Sequence, residues 1–350
     1  MEIDGKKIGY GYPPYIVAEM SGNHNKDINN AFALIRKAKE CGADAIKLQT
    51  YTADTITINH DGPGFLVEGG LWDQRKLYDL YEEAHTPWEW HEKLFNYGKE
   101  IGITIFSSPF DETAVDFLED LEVKAYKIAS PEIIDLSLID KVARTGKPII
   151  ISTGMANENE INEAIETVRN VGNDKIIILH CTSAYPTPIN EANLSTMNEI
   201  SNKFDVLTGL SDHSLGTKVS IYACLLGACL IEKHFTIDRS KGGVDSQFSL
   251  EPNELYKLVE KTRELQSIIG IPAFNPTKSE SISLTGRRSI YAVRDIKKGE
   301  VFTKENIRSI RPGKGLKPKY IKKIIGMEAN IDINFGEPLS FDMIKDFIDY

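Results

Sequence analysis

The chain has 350 residues, of which 41% are hydrophobic, so it can bury a large core in one or two domains, and general disorder is excluded. Its formal net charge of −10 argues against a broad nucleic-acid-binding or anionic-membrane surface, although local cationic pockets for anionic ligands remain compatible with it. No uninterrupted apolar stretch approaches the roughly 20 residues that span a bilayer.

The cysteines and the amino terminus indicate a cytoplasmic protein. Cys41, Cys181, Cys224 and Cys229 show no CxxC spacing. The opening residues, MEIDGKKIGY, lack the apolar core of a secretory signal. We therefore expect a cytoplasmic chain that contacts neither nucleic acid nor a membrane.

Short β-rich runs recur along the first two thirds of the chain. Eight are found, YIVAE (15–19), AIKLQ (45–49), TIFSS (104–108), AYKIAS (125–130), PIIIST (148–153), KIIILHC (175–181), DVLTGLS (205–211) and CLIEKHF (229–235). Their nearly continuous apolar character is typical of parallel strands that are buried on both faces.

Helix-like segments separate most of these runs, with apolar residues three to four positions apart. The clearest segments are 29–41, 112–121, 158–171 and 218–226. Eight strand-helix units over about 250 residues match the size of a (β/α)8 barrel, and an open doubly wound sheet is the structural alternative. A GxGxxG fingerprint and a P-loop motif are both absent, so the sequence offers no support for dinucleotide or P-loop binding.

The pattern changes after the eighth run. A helix-like segment at 254–269 is followed by IPAFNPTKSESISLTG, whose prolines and serines are typical of a linker. Beyond it, short strands and turns replace the strand-helix repeats. We predict a barrel domain over 1–270, a linker over 271–285 and a small separate domain over 286–350.

Polar side chains close each predicted strand, at the end where barrel enzymes carry their active sites. They are Glu19, Lys47 and Gln49, Ser107 and Ser108, Lys127 and Ser130, Ser152 and Thr153, Thr182 and Ser183, Ser211 and His213, and Lys233 and His234. A single lysine or serine at a strand end is usually a solvated terminus. Because all eight predicted strands are buried and all end in polar groups, we predict one functional site at the carboxyl-terminal end of the barrel, its mouth.

Two of these residues form a matching pair. His213 and His234 follow adjacent strands, and two histidines can hold a divalent metal while leaving positions open for water and substrate. The alternative is that each is a hydrogen-bonded core residue. The matched positions favour the metal, and we expect both rings to be exposed at the mouth.

The cationic and hydroxyl side chains suggest an anionic substrate. Lys47 and Lys127 can make charge-assisted hydrogen bonds to phosphate and carboxylate together, an arrangement that fits phosphoenolpyruvate. The accompanying hydroxyls are Ser108, Ser130, Ser152, Ser183 and Ser211. Glu19 and Glu132 could bind sugar hydroxyls or move protons, or could be ion-pair partners of the lysines.

These residues lie in motifs that resemble the sialic acid synthases, which join phosphoenolpyruvate to an N-acylated amino sugar. The motifs are IVAEMSGNHN, AIKLQTY, FSSPFD, YKIAS, ISTGM, HCTSAYPTP, GLSDHS and EKHFTID, and then RRSIYA, DIKKGE and RPGKG of a small domain similar to the antifreeze-like (SAF) module. The segment 69–91, GGLWDQRKLYDLYEEAHTPWEWH, is similar to the pseudaminic acid synthase branch. We expect this segment to form an insertion at the barrel mouth, whose apolar and aromatic side chains receive the methyl and extra acetyl groups of the sugar. They are Leu71, Trp72, Tyr78, Tyr81, Trp88 and Trp90. The resemblance covers almost the whole chain.

The resemblance implies a (β/α)8 barrel whose site is completed by the antifreeze-like domain of the partner chain in a domain-swapped homodimer. It implies that His213 and His234 are the metal ligands, with Mn²⁺ expected first and Mg²⁺ or Co²⁺ as alternatives. It places phosphoenolpyruvate on Lys47, Ser108, Lys127, Ser130, Ser152, Ser183 and Ser211. It places the amino sugar on Glu19, Gln49, Tyr185 and Asp245, with Arg311 arriving from the other subunit.

Three positions depart from the better-known N-acetylneuraminate synthases. Ser108 stands where threonine is common, Ser183 where asparagine can occur, and Pro131 where glycine would precede Glu132. Two other classes of function remain to be distinguished. A Schiff-base aldolase would use Lys127 or Lys233 without a metal, and a non-catalytic sugar-binding protein would leave the polar strand ends unexplained.

Overall fold

The chain forms two compact units, Met1–Gly270 and Ile271–Tyr350, in a computed structural model that describes residues 1–348. The first unit contains a closed barrel of eight parallel strands, which confirms the predicted (β/α)8 architecture and excludes the open doubly wound sheet. The last two residues of the predicted 286–350 domain lie outside the described residues.

A short hairpin precedes the barrel, formed by β1 (Glu2–Ile3) and β2 (Lys6–Lys7). The barrel strands are β3 (Tyr15–Glu19), β4 (Ala45–Thr50), β5 (Thr104–Pro109), β6 (Tyr126–Ile128), β7 (Ile149–Ser152), β8 (Ile176–Cys181), β9 (Leu207–Asp212) and β10 (Leu230–His234). Each strand pairs with its neighbours in sequence, and β10 closes the barrel by pairing with β3. The carboxyl ends of all eight strands therefore meet at one mouth.

Helices cover the outside of the barrel. They are α1 (Ile28–Glu40), α2 (Ala53–Ile56), α3 (Leu77–Ala84), α4 (Trp88–Ile101), α5 (Glu112–Asp120), α6 (Leu136–Arg144), α7 (Glu158–Asn170), α8 (Ser195–Phe204), α9 (Lys218–Leu225) and α10 (Pro252–Ile269). Asp27, Asp111 and Asn157 begin three of them by accepting hydrogen bonds from first-turn amides. The apolar faces of the helices and the outward side chains of the strands form the main core.

The inside of the barrel changes character along its axis. Near the amino ends of the strands it is apolar, and Val17, Phe106, Ile150 and Ile177 pack there with Ile3 of the hairpin. Because side chains alternate along a strand, the inward positions continue toward the carboxyl ends as Glu19, Lys47, Gln49, Ser108, Lys127, Ser152, Ser211, Glu232 and His234. Apolar side chains therefore fill the amino-terminal end of the barrel interior, and polar side chains line its carboxyl-terminal end, the mouth.

Two details differ from the sequence prediction. β6 ends at Ile128 rather than residue 130, because Ser130–Ile134 forms a 3-10 turn with Pro131 in its first turn. The segment 69–91 is not one mouth insertion. Its last residues already belong to α4, the helix that connects β4 to β5.

The second unit has a small core of its own. Its regular elements are the antiparallel strands β11 (Ser289–Ala292) and β12 (Ile307–Ile310) and the short helix α11 (Ile321–Ile324). The core residues are Ile290, Ala292, Ile296, Phe302, Ile307, Tyr320, Ile324, Ala329, Ile333, Leu339 and Ile344. Over residues 1–348, no helix combines the length and the apolar character needed to cross a bilayer.

Candidate active site

One cavity at the mouth of the barrel gathers ten of the fifteen candidate site residues. It is lined by Glu19, Lys47, Gln49, Lys127, Ala129, Ser130, Pro131, Ser152, Tyr185, Ser211, His213, Glu232 and His234. These side chains come from the carboxyl ends of seven of the eight strands or from the loops that follow them. The structure therefore brings these ten residues together in one cavity.

Glu19 and Lys47 form the first half of a buried charge cluster. They are register partners on β3 and β4, and the Lys47 Nζ lies 2.5 Å from the Glu19 Oε2. Lys47 also donates to the Ser108 Oγ at 3.1 Å, while Gln49 donates to the Glu19 Oε1 at 3.0 Å. Each charge is held by neighbours on adjacent strands, so the cluster is preorganised.

Glu232 forms the second half, and sequence reasoning missed it. Its Oε1 lies 3.7 Å from the Lys47 Nζ and 3.8 Å from the Lys127 Nζ, so one carboxylate serves both lysines. The available signal was the alternation within the run LIEKH, which puts Glu232 on the same face as His234. Lys233, chosen as a strand-end group, points to the other face.

Lys233 lies outside this cavity and has its own acidic partner. Its Nζ is 3.0 Å from the Asp212 Oδ2, and both side chains are buried. A Schiff-base role for Lys233 is therefore incompatible with the cavity described above. Lys127 lines that cavity, and it is the lysine to which an aldolase mechanism would be assigned.

Burial shifts the proton affinities of the cluster. It raises the pKa of Glu19 to about 7, helped by Glu232 and opposed by Lys47. It lowers the pKa of Lys127, against the attraction of Glu232. Burial also raises the pKa of Glu132 to about 7, although Lys127 opposes the shift. Two carboxyl groups near the mouth can therefore exchange protons near neutral pH.

The serines divide into bonded and unbonded groups. Ser130 accepts a hydrogen bond from the Gly154 amide at 3.0 Å. A Cβ at Gly154 would lie 2.1 Å from the Ser183 Oγ and 2.7 Å from the Ser130 Oγ, so only glycine leaves room for these hydroxyls. The buried Ser152 Oγ has no protein partner. An unpaired buried hydroxyl in a polar cavity indicates a place for a ligand or water.

The two histidines are buried rather than exposed, and the sequence expectation was wrong on this point. His213 is 6% exposed and His234 is 9% exposed, and their ring centroids are 5.3 Å apart. Tyr185 and Phe248 cover them, at centroid distances of 4.4 Å from His213 and 4.8 Å from His234 respectively. Side chains from the loops after β8 and β10 therefore cover the two histidines.

The histidine nitrogens fit a divalent metal. The His213 Nδ1 lies 3.2 Å from the Thr182 carbonyl oxygen, which leaves the other ring nitrogen available as a ligand. The buried His234 Nδ1 has no hydrogen-bond partner, and the Asp245 Oδ2 is 3.7 Å away. Within residues 1–348, no cluster of three or more His, Cys, Asp or Glu side chains has the arrangement of a complete metal site.

Trp72 adds an aromatic wall next to these rings. Its ring lies 5.4 Å from Tyr185 and 6.4 Å from Phe248, and its indole N–H donates to the Val244 carbonyl at 2.9 Å. Trp88 instead stacks on Phe117 at 4.7 Å.

Trp90, like Trp88, belongs to α4 rather than to the mouth. Its ring meets His24 at 5.5 Å and packs against the main core. The sequence expectation that Trp88 and Trp90 face a sugar is therefore wrong, whereas Trp72 lies at the mouth.

Five candidates lie outside the lining. Ser108 supports Lys47 from below, and the Ser183 Oγ is 3.9 Å from the Cys181 Sγ. Asp245 accepts a hydrogen bond from the Ser21 Oγ. Glu132 follows Pro131, and its buried Oε2 has no partner. Arg311 belongs to the second unit, where it follows β12 and is exposed.

A cavity of about 500 Å³ lies at the opposite end of the barrel, against the amino ends of β4 and β5. Two of its three acids already have partners, because Asp44 pairs with Lys6 and Asp4 accepts from Thr104. Polar groups without partners are instead concentrated at the mouth, and barrel enzymes carry their chemistry at that end. We therefore place the site at the mouth.

Comparison with known protein families agrees with this geometry. Residues 34–273 match the model of the NeuB family, and residues 287–345 match the SAF domain. The chain belongs to the NeuB family. Among its relatives in this family, the pseudaminic acid synthase of Helicobacter pylori is 44% identical over 337 residues, which cover 95% of this chain and 98% of that protein.

Two further similar proteins are named as synthases of other sugar acids. The N,N'-diacetyllegionaminic acid synthase of Legionella pneumophila is 36% identical and covers 97% of both chains. The crystal structure of the N-acetylneuraminic acid synthetase of Leptospira borgpetersenii, solved with citrate, matches with a TM-score of 0.73 and 32% identity over 81% of this chain and 94% of that one.

The raised pKa of Glu132 predicts a pH-dependent stability. The folded protein keeps this proton up to about pH 7, whereas an ordinary carboxyl releases it near 4.5, so folding should lose free energy as the pH rises between these values. We expect Glu132→Gln to match the wild type at pH 5 and to be more stable by about 1 to 3 kcal/mol at pH 8.

Denaturant unfolding at the two pH values measures the difference. Glu163→Gln, at an exposed position on α7, is the matched control and should show no such divergence. Parallel pH profiles for the wild type and Glu132→Gln would contradict the assignment.

Proposed function

We propose that this chain is a metal-dependent pseudaminic acid synthase. It would condense phosphoenolpyruvate with 2,4-diacetamido-2,4,6-trideoxy-β-L-altropyranose to give pseudaminic acid and phosphate. The observation that carries the proposal is the pair of buried lysines, Lys47 and Lys127, beside the imidazoles of His213 and His234 in one cavity. The full-length similarity to a pseudaminic acid synthase supports the choice of product.

The lysine side supports the binding of phosphoenolpyruvate. The ammonium groups of Lys47 and Lys127 would contact its phosphate and carboxylate, and the hydroxyls of Ser130, Ser152 and Ser211 would complete the cradle. Glu232 holds both ammonium groups in place before the substrate arrives. The unpartnered Ser152 Oγ is then explained as a donor to the bound anion.

The imidazole side supports a divalent ion, with Mn²⁺ as the first candidate and Mg²⁺ or Co²⁺ as alternatives. When bound, the ion would supply Lewis-acid polarisation of the open-chain sugar aldehyde. His213 and His234 would hold it, and two protein ligands leave coordination positions for substrate and water. Glu19, Gln49, Tyr185 and Asp245 would bind the sugar.

The reaction forms a carbon-carbon bond and a bond between C2 and the oxygen of water, and it breaks the C2–O bond to phosphate. C3 of phosphoenolpyruvate would attack the aldehyde carbon, and water would add at C2 before phosphate leaves. One water proton ends on the former aldehyde oxygen and the other on the released phosphate, as C2 becomes a ketone. Lys47 and Lys127 would stabilise the departing phosphate. Glu19 or Glu132, each with a pKa raised by burial to about 7, would carry the proton of the attacking water or of the sugar hydroxyl.

We also propose a domain-swapped homodimer in the cytoplasm, in which Arg311 of one subunit completes the site of the other. The proposal that a second protein surface covers the mouth is supported by four apolar side chains. They lie exposed in the loops after the successive strands β6 to β9. They are Ile134, Met155, Ile189 and Leu215. A second protein surface over this rim would bury them and would exclude water from the reaction.

The choice of sugar gives the first test of this function. Trp72 and Tyr185 offer apolar surface to the methyl and second acetamido groups of the diacetamido sugar, whereas N-acetylmannosamine carries hydroxyls at those carbons. We expect phosphate release with the diacetamido sugar, and a kcat/KM about tenfold to several-hundredfold lower with N-acetylmannosamine. Trp72→Leu should reduce the ratio of kcat/KM between the diacetamido sugar and N-acetylmannosamine. Trp88→Leu, on α4, should leave this ratio unchanged.

Three outcomes would contradict the sugar assignment in different ways. A preference for N-acetylmannosamine would move the chain to the N-acetylneuraminate branch, and a preference for the legionaminic acid precursor would move it to that branch. Trapping of Lys127 by borohydride in the presence of substrate would instead establish a Schiff-base aldolase.

The histidine pair gives the second test. Chelation should abolish turnover, and His213→Ala and His234→Ala should each lose Mn²⁺ binding, because one imidazole alone holds the ion weakly. Electron paramagnetic resonance of free Mn²⁺ measures the binding, and circular dichroism verifies the fold. His60→Ala, at an exposed position, is the control. Undiminished Mn²⁺ binding by either cavity variant would remove the metal role.

The third test concerns the shared site. Arg311→Ala and Lys127→Ala should each be inactive as homodimers. After subunit exchange, the mixture should recover part of the activity, because each heterodimer contains one intact site built from the unmutated halves. Mass spectrometry can verify the exchange. No recovery despite verified exchange would show that each site is built within one chain.

A further inference from the structure

A buried ion pair joins the last strands of the barrel on their outer faces. Asp212 and Lys233 are register partners on β9 and β10, and the Lys233 Nζ lies 3.0 Å from the Asp212 Oδ2. The two side chains are only 2% and 0% exposed. The pair therefore lies inside the protein, between the barrel wall and its covering helices.

Hydrogen bonds connect this pair to the following loop and helix. The Asp212 Oδ1 accepts from the Ser214 amide at 2.8 Å and from the Ser214 Oγ at 2.6 Å. The Asp212 Oδ2 accepts from the Ser220 Oγ of α9 at 2.5 Å, and Lys233 donates to the Ser214 carbonyl. One network thus fixes two strand ends, the loop after β9 and α9.

Stability alone does not account for such a pair. Removing two charges from water costs free energy that their attraction does not fully return, so well-packed apolar side chains of similar volume are often as stable. A buried pair does specify the register of two strands, because only one register brings the two charged groups together. Asp212 and Lys233 therefore specify how β10 lies against β9.

That register has a direct consequence inside the barrel. His213 follows Asp212 and His234 follows Lys233, and alternation sends each histidine to the opposite face from the ion pair. Both rings line the mouth cavity, with centroids 5.3 Å apart. A shift of one strand end against the other would change this separation.

We infer that Asp212 and Lys233 are positioning residues that set the spacing of the His213–His234 pair for a divalent ion. The inference depends on the proposed metal role of these histidines and is independent of which sugar the protein uses. The ion pair touches neither substrate nor the cavity. It acts through the backbone that it shares with the two ligands.

The decisive variant is the double substitution Asp212→Leu with Lys233→Met, which replaces the charges by apolar side chains of similar length. We expect the wild-type fold with a lower melting temperature, because the Ser214 amide and the Ser214 and Ser220 hydroxyls lose their acceptor. The Mn²⁺ affinity should fall about 10- to 100-fold, the usual cost of losing groups that orient metal ligands. Electron paramagnetic resonance of free Mn²⁺ measures it without turnover. KM for phosphoenolpyruvate should change less than the Mn²⁺ affinity, because Lys47 and Lys127 lie on β4 and β6, outside the two strands that the ion pair joins.

Two controls separate positioning from general damage. Lys233→Arg keeps the charge and should retain Mn²⁺ affinity within a few-fold. Lys141→Ala with Asp116→Ala removes an exposed ion pair between α5 and α6 and should leave the affinity unchanged. If the double variant does not fold, Ser220→Ala removes only one hydrogen bond to Asp212, and it should weaken Mn²⁺ binding several-fold in a folded protein.

The outcomes distinguish this inference from the proposed function. Wild-type Mn²⁺ affinity in the folded double variant, or in Ser220→Ala where the double variant does not fold, would overturn the positioning role alone. Absence of Mn²⁺ binding in the wild type would overturn the metal site and this role together. Neither result depends on identifying the sugar. An error in the sugar assignment would appear only in the phosphate-release assay.

Discussion

The interior of this barrel depends on the neutralisation of two buried lysines. Lys47 and Lys127 point into a volume that water barely enters, and an unpaired ammonium group there would be too costly to keep charged. Glu19 supplies compensating charge from the adjacent strand β3, and Glu232 supplies it from β10, across the inside of the barrel. The resulting cluster keeps two cations available at the mouth without destabilising the fold by an isolated charge.

This constraint explains the arrangement around the cluster. An apolar layer below it, which includes Val17 and Phe106, gives the charges a rigid floor. Above it, Tyr185 and Phe248 cover the imidazoles of His213 and His234 and keep that side of the cavity dry. Polar groups without protein partners lie between these two apolar layers, and the proposed phosphoenolpyruvate and metal ion would provide their missing partners.

The barrel therefore uses its two faces differently. Inward residues at the strand ends carry the proposed chemistry, whereas outward residues such as Asp212 and Lys233 hold the strands that carry it. Because the side-chain period of a strand is two, each functional residue is adjacent in sequence to a residue of the supporting layer. The run EKH shows this most clearly, with Lys233 in the supporting layer between Glu232 and His234 in the cavity.

The sequence by itself determined the eight-stranded barrel and the polar mouth, because apolar runs alternate with amphipathic helices and each run ends in a polar group. It could not determine which strand-end residues face inward, since a one-residue error reverses every side chain. Lys233 was therefore placed at the mouth and Glu232 was missed. The sequence also could not show that Trp88 and Trp90 lie away from the mouth, because their position depends on how α4 packs against the barrel. Only the tertiary structure showed that the histidines are buried and that one carboxylate serves both lysines, because these facts depend on contacts between strands far apart in the chain.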